Sequence, residues 1–214
     1  MAQTTRLYDY ILDADCYKAR LLMQFLDRQP EIVELDVYPG GELDSASFRR
    51  LSPLGILPVL EEGDFVVCGA QAVLLYLATK YDMTHKWLPG DPESVGTIGM
   101  WLSFGARLAD CAGAARRCET FRVEADIEEM RRAAHQLLRV LDQHLWFSEQ
   151  RGQKWICGGG YPSIADIACF PDAALAEEGD IELLYYPAVR RWLERFRGLP
   201  GFIGMPGVFA PPAG

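Results

Sequence analysis

The sequence predicts two domains of different class: an α/β domain in the order βαβαββα over residues 1–82, followed by an all-helical domain over residues 93–214. Three observations predict it. Period-two apolar runs alternate with helical stripes as far as Tyr81. A segment with prolines and glycine, residues 83–92 (MTHKWLPGDP), then reads as a linker. Beyond it the strand signal stops, and apolar residues recur only at helical spacing.

Arg6 to Tyr10 reads as the first strand and Cys16 to Asp27 as the first helix, with Leu22, Phe25 and Leu26 among its apolar positions. Glu31 to Tyr38 alternates, Val33, Leu35 and Val37 against Glu34 and Asp36, and so predicts a second strand. After Pro39-Gly40-Gly41, Ser45 to Leu51 reads as a short helix. Ile56 to Leu60 is apolar around Pro58. Proline donates nothing to a ladder, so this strand lies at an edge or starts at the proline. Glu61 to Asp64 predicts a turn, Phe65 to Cys68 the returning strand, and Gln71 to Tyr81 a helix buried through Val73, Leu74, Leu77 and Ala78.

In the second domain, Glu93 to Cys118 predicts one long helix with Trp101, Phe104, Leu108 and Cys111 at helical spacing. Ala125 to Phe147 predicts another, with an acidic first turn suited to a helix N-terminus. Ser163-Ile164-Ala165-Asp166 reads as a capping box, with Pro162 and Ile167 placed for a hydrophobic staple. Pro187 to Phe196 predicts a shorter helix, and Gly204 to Gly214 an irregular tail. Cys157 to Gly160 reads as a turn, since it does not join a strand to a phosphate-binding helix.

The 214 residues are half hydrophobic and 24% charged, an ordinary globular composition. The formal net charge of −9 opposes phosphate backbones and anionic lipid, so neither nucleic acid nor a membrane surface is an expected partner. Arg116-Arg117, Arg131-Arg132 and Arg190-Arg191 are isolated pairs that read as solvated helix faces. No apolar run reaches the roughly 20 residues of a membrane span, and the polar start does not resemble a signal peptide. A cytoplasmic location is the expectation. The six cysteines (Cys16, Cys68, Cys111, Cys118, Cys157, Cys169) form no C-x-x-C pair, and the three histidines give no ligand spacing, so no metal site is expected.

Four stretches carry a resemblance: Leu7 to Tyr10 with Cys16 to Leu22; Ser52-Pro53-Leu54-Gly55-Ile56-Leu57-Pro58-Val59-Leu60; Ala72 to Leu77; and Trp155 to Gly158 with Pro162 to Ala168. In this order and spacing they resemble the glutathione transferases, which have a thioredoxin-like domain followed by a helical one. The resemblance implies a cis Pro58 that presents the backbone of Leu57 to an extended peptide such as glutathione. It also implies an anion-binding helix start at Gly69, Ala70 and Gln71, a small-molecule electrophile as second substrate, and a homodimer. The electrophile pocket would lie between the first-strand loop and the long helix, with Trp101, Phe104, Arg107 and Cys111 as candidate lining residues.

The chain departs from that pattern twice. The family's acidic-serine pair is Gly69-Ala70 here, which removes two charge-assisted bonds worth roughly 1.5–3 kcal/mol each. The catalytic serine or cysteine of related classes is Asp13. Asp13 also reads as a helix-start residue. Cys16 falls in the first turn of a helix, where the dipole lowers a thiol pKa, but two aspartates beside it oppose that, so a packed and a reactive Cys16 are both open. Tyr10, at the end of the first strand, is the third catalytic candidate. Two readings follow: an enzyme that conjugates or transfers glutathione or another thiol, and a non-catalytic binding or interaction protein on the same fold. A thiol-disulfide reductase using Cys16 is a third.

Overall fold

The computed structural model describes residues 4–122 and 125–208. Residues 1–3 and 209–214, which include part of the expected tail, lie outside the described residues; within the tail, Met205 and Val208 form an isolated bridge.

Strand β1 (Thr5–Asp9) buries Leu7 and Asp9 and sits inside a four-stranded sheet of order β2-β1-β3-β4. It runs parallel to β2 (Glu31–Glu34), with Leu7 opposite Ile32, and antiparallel to β3 (Val59–Glu62), with Leu7 opposite Leu60. A parallel pair needs a crossover, and helix α1 (Ala14–Phe25) supplies it. β3 returns through Gly63 and Asp64 into β4 (Phe65–Cys68), and the positive φ of Gly63 suits that two-residue turn. Helices α2 (Ala46–Leu51) and α3 (Ala70–Tyr81) complete the predicted order.

β2 is shorter than its alternating pattern. The ladder stops at Glu34, although Leu35 N–H still donates to Asp9 C=O. Asp36 then turns back to accept from the Gly40 amide at 2.9 Å, and Tyr38–Pro39 is a cis peptide. Leu35 and Val37 keep their apolar role by packing on Phe48, Leu57 and Val59.

The predicted long helix is a continuous rod with a defect. α4 (Pro92–Leu108) passes through a π-helical turn at Ala109–Gly113 into α5 (Ala114–Phe121). Close approach to α7 (Ile164–Ala174) explains its glycines. A Cβ on Gly105 would meet the Ala168 carbonyl oxygen at 2.8 Å, and one on Gly113 would meet Asp172 Oδ1 at 2.5 Å. α6 (Ile127–Gln150) and α8 (Pro187–Arg197) close the bundle.

α7 is buried along almost its whole length. Its capping box forms: Ser163 Oγ accepts from the Ala165 amide at 3.3 Å, and Asp166 accepts from the Ser163 amide at 2.9 Å. The main core runs without a break from Leu7, Leu60 and Leu74 in the sheet domain to Leu138, Phe170 and Trp192 among the helices. α1 is covered on one side by the sheet and α3 and on the other by α7, which is why its buried positions exceed one helical stripe. No described helix is long and apolar enough to cross a membrane.

Candidate functional site

The loop that delivers Leu57 is fastened by Ser52. Its buried hydroxyl donates to Ile56 C=O at 2.9 Å and accepts from Ile56 N–H at 3.0 Å. Leu57–Pro58 is cis, and Gly69 N–H donates to Pro58 C=O at 2.9 Å, which ties the start of α3 to this loop. The Leu57 side chain is buried, yet among the described residues its backbone N–H and C=O have no hydrogen-bond partner. Gly69 sits at φ +89°, where L side chains are strained. α3 has no side-chain cap, so the amides of Ala70, Gln71 and Ala72 lack an intrahelical acceptor. Leu57, Pro58, Gly69, Ala70 and Gln71 therefore meet in one place. The arrangement offers an extended backbone edge beside several free donors, a match for a peptide that ends in a carboxylate.

The second cluster is where the β1–α1 loop faces α5. Tyr10, Leu12, Asp13, Ala14 and Val37 line one side of a narrow cleft, and Gly113, Arg116, Arg117 and Phe121 the other. Its interior is about 40 Å³, room for solvent-sized groups only. Asp13 is the N-cap of α1 and accepts from the Cys16 amide at 2.8 Å. Burial, and next the nearby Asp15 charge, push its carboxyl up to about 6, against the pull of the Cys16 amide, Arg117 and Lys18.

That shift couples to stability. The folded-state pKa of Asp13 lies above the ordinary 3.8, so between about pH 4 and pH 6 the folded chain holds more protons than the unfolded one. Its contribution is full below that window and is lost as pH rises through it. Asparagine keeps the cap without the charge. Asp13→Asn is expected to raise unfolding stability by about 1–2 kcal/mol at pH 7, allowing for solvent screening, and by nothing below pH 4. Urea melts at pH 4 and pH 7 check this, and an equal effect at both pH values would refute it.

Cys16 is fully buried against Phe48, Leu57 and Val59, and burial, followed by Asp13 and Asp9, pushes its thiol well up. Of its two readings the geometry favours packing, because the helix dipole is outweighed by desolvation. Tyr10 is partly exposed, with its ring 6.4 Å from that of Phe121; burial and then Asp36 raise its hydroxyl.

The four candidate lining residues lie apart from this cleft. Trp101 is buried, packed on Phe104 at 4.9 Å and on His144 at 4.5 Å, within the helical core. Cys111 is also buried, its Sγ 3.1 Å from Arg107 C=O, and Arg107 is exposed to solvent. None of the four lines the cleft. Trp101, Phe104 and Arg107 precede the π turn, so their facing is set by α4 itself, which packs on α7; only Cys111 lies within the turn. Arg116, read from sequence as a solvated residue, is buried. Its Nε donates to Glu178 at 2.6 Å and its Nη1 to Leu12 C=O at 2.8 Å, so it joins the helical domain to the β1–α1 loop. The only sequence signal for it was the Arg116-Arg117 pair, which helical periodicity alone places on the wrong face.

Comparison with known proteins agrees with the fold. The family model described as glutathione S-transferase, N-terminal domain, matches residues 7–86, and that described as glutathione S-transferase, C-terminal domain, matches residues 113–200. The chain is 32% identical to glutathione S-transferase theta-1 of Bos taurus over 46% of this chain and 40% of that protein, so this match spans well under two thirds of the relative's length. It is 27% identical to the disulfide-bond oxidoreductase YfcG of Escherichia coli (strain K12) over 86% of each. A solved glutathione S-transferase from Xanthobacter autotrophicus Py2 superposes with a TM-score of 0.82 at 28% identity, covering 95% of this chain and 98% of that one.

Proposed function

The chain belongs to the glutathione S-transferase family, and from that premise we propose that it binds glutathione or a similar thiol along Leu57 and the start of α3 and transfers it to a small electrophile. The observation that carries this reading is the unpaired Leu57 backbone beside the free amides of Ala70 and Gln71. The cysteinyl part of the thiol pairs with Leu57 as an added strand, and its terminal carboxylate takes the helix amides.

Asp13 then has a role beyond capping. A carboxylate with an ordinary pKa only repels a thiolate. One raised to about 6 exchanges its proton closer to neutrality. Ionised Asp13 takes the S–H proton, and the resulting carboxylic acid donates a hydrogen bond to the thiolate; the thiolate adds to one carbon of an activated double bond, the π electrons move to the other carbon, and that carbanion takes the proton back from Asp13. For the disulfide exchange named for the Escherichia coli relative, the attacking sulfur is again that of the bound thiol, because Cys16 is buried and protonated.

The second reading, a binding protein without turnover, is favoured by the 40 Å³ cleft and by Gly69-Ala70 in place of the acidic-serine pair. We also propose a homodimer. Phe65 and Val66 on the edge strand β4, and Leu75 on α3, are exposed large apolar side chains that a second copy would cover. A cytoplasmic location fits the six free cysteines.

Calorimetric titration with reduced glutathione tests the reading. The expected result is a dissociation constant of about 1 mM or tighter, and tighter still in Ala70→Ser, which restores a hydroxyl at the helix start. Absence of binding by the natural chain, with binding gained in Ala70→Ser, would sink the transferase reading and leave the non-catalytic one.

A further inference from the structure

The cleft between the β1–α1 loop and α5 is lined by two arginines with different commitments. Arg116 is buried and held by Glu178 and Leu12 C=O. Arg117 is exposed, and among the described residues its guanidinium has no ion pair and no hydrogen bond. It runs along the bare backbone of Gly113. A Cβ there would come within 3.4 Å of Arg117 Nη1 and 2.5 Å of Asp172 Oδ1, so any side chain at Gly113 would fill the space beside the guanidinium. Phe121 lies one turn further along α5, on the same face as Arg117. Its ring meets that of Tyr38 at 4.9 Å and that of Tyr10 at 6.4 Å. The rim thus sets a free planar cation beside an aromatic wall. The interior of about 40 Å³ admits a group little larger than a water molecule.

We propose, on the basis of the thiol-transfer reading, that the electrophile is a small α,β-unsaturated carbonyl compound bearing a carboxylate, and that Arg117 selects it by that charge. The carboxylate accepts two parallel hydrogen bonds from the guanidinium, whose rigid fork of N–H groups matches it. Ionised Asp13 repels an anion, so the charged end stays at the exposed rim and the double bond enters the cleft. The thiolate bonds to the β-carbon, and the π electrons move to the α-carbon and the carbonyl oxygen. Protonated Asp13 then returns its proton to the α-carbon. The S–H of the thiol has added across the double bond, and no oxidant, reductant or leaving group is needed. A chain of net charge −9 repels anions at large, and the unpaired cation at this mouth is the local exception that admits one.

Monomethyl fumarate is the probe, with dimethyl fumarate as its neutral counterpart. Both carry the same activated double bond, and only the first is an anion. Each is offered to the full chain with reduced glutathione, and kcat/KM is read above the uncatalysed addition. The anion is expected to be preferred about tenfold or more. In Arg117→Gln that preference should disappear, through KM more than kcat, and Arg117→Lys should restore part of it. A ratio of two substrates on one protein does not depend on how much of a variant folds. Monomethyl succinate, which is saturated and unreactive, reads recognition apart from turnover. By calorimetry it should bind saturably, and at least about fivefold more weakly to Arg117→Gln. Preference for the diester, or an unchanged preference in Arg117→Gln, overturns the proposal. If neither ester is turned over but monomethyl succinate binds through Arg117, the transfer reading falls and the charge selection stands. If neither ester is turned over and monomethyl succinate does not bind, the charge selection falls as well.

Discussion

Asp166→Ala is expected to destabilise the folded chain by about 3–5 kcal/mol, lowering the thermal midpoint by roughly 10 °C or more. Asp166 is completely buried, and its carboxylate gathers donors from three separate segments. Oδ1 accepts from the Ile156 amide at 3.0 Å and from Trp192 Nε1 at 3.0 Å. Oδ2 accepts from the Ser163 amide at 2.9 Å and from Ser163 Oγ at 3.3 Å. Burial raises its pKa, and those same donors oppose the rise.

Removing the side chain orphans buried donors on the loop before α7, on the first turn of α7 and on α8 at once. Orphaned buried donors cost more than an average hydrogen bond returns. Asp166→Asn keeps one carbonyl oxygen but turns an NH₂ group toward donors, so it recovers part of the loss at most. Urea melts followed by tryptophan fluorescence measure the effect. A loss below about 1 kcal/mol would show that the three segments hold their arrangement without the carboxylate.

Asp166 was also the most legible polar residue in the sequence. A serine three residues before an acid, ahead of an apolar run, leaves few alternatives, and the box formed as read. The order of strands and helices was equally plain, because periods of two and of three to four are set locally by the backbone. What local pattern does not carry is the identity of the neighbour. Trp101 and Phe104 lie on an apolar stripe, but periodicity alone does not say whether that stripe faces a ligand or another helix. The loop around the cis Leu57–Pro58 bond was legible because the segment from Ser52 to Leu60 is contiguous in the chain. The cleft at Asp13 could not be fully found, since Gly113, Arg116 and Phe121 reach it from a helix about 100 residues away.

Lys18 is the clearest case of a residue whose surroundings the sequence conceals, and the second large effect is expected there. As a lysine on a helix it reads as solvated, yet it is completely buried where α1 meets α7. Nζ lies 2.6 Å from Asp15 Oδ1 and 2.6 Å from Asp172 Oδ2. Burial favours the neutral amine, but the two carboxylates outweigh it and hold the ammonium charged, while burial pushes Asp172 up. Lys18→Met leaves the buried Asp172 facing Asp15 with the cation gone, and a loss of about 3–5 kcal/mol is expected. Asp172→Leu alone leaves Lys18 with Asp15, which is partly open to solvent and can still serve it, so the loss should be smaller. In Lys18→Met combined with Asp172→Leu both buried charges are gone. The desolvation cost goes with them, and at least half of the Lys18→Met loss should return. Urea melts of the two single variants and the double variant measure the coupling. A double variant as unstable as the sum of the singles would show that volume and packing, not charge, hold α1 against α7. The expected recovery would instead identify a buried ion pair that fixes how the two domains meet, and with it the position of the α1 N-terminus that carries Asp13.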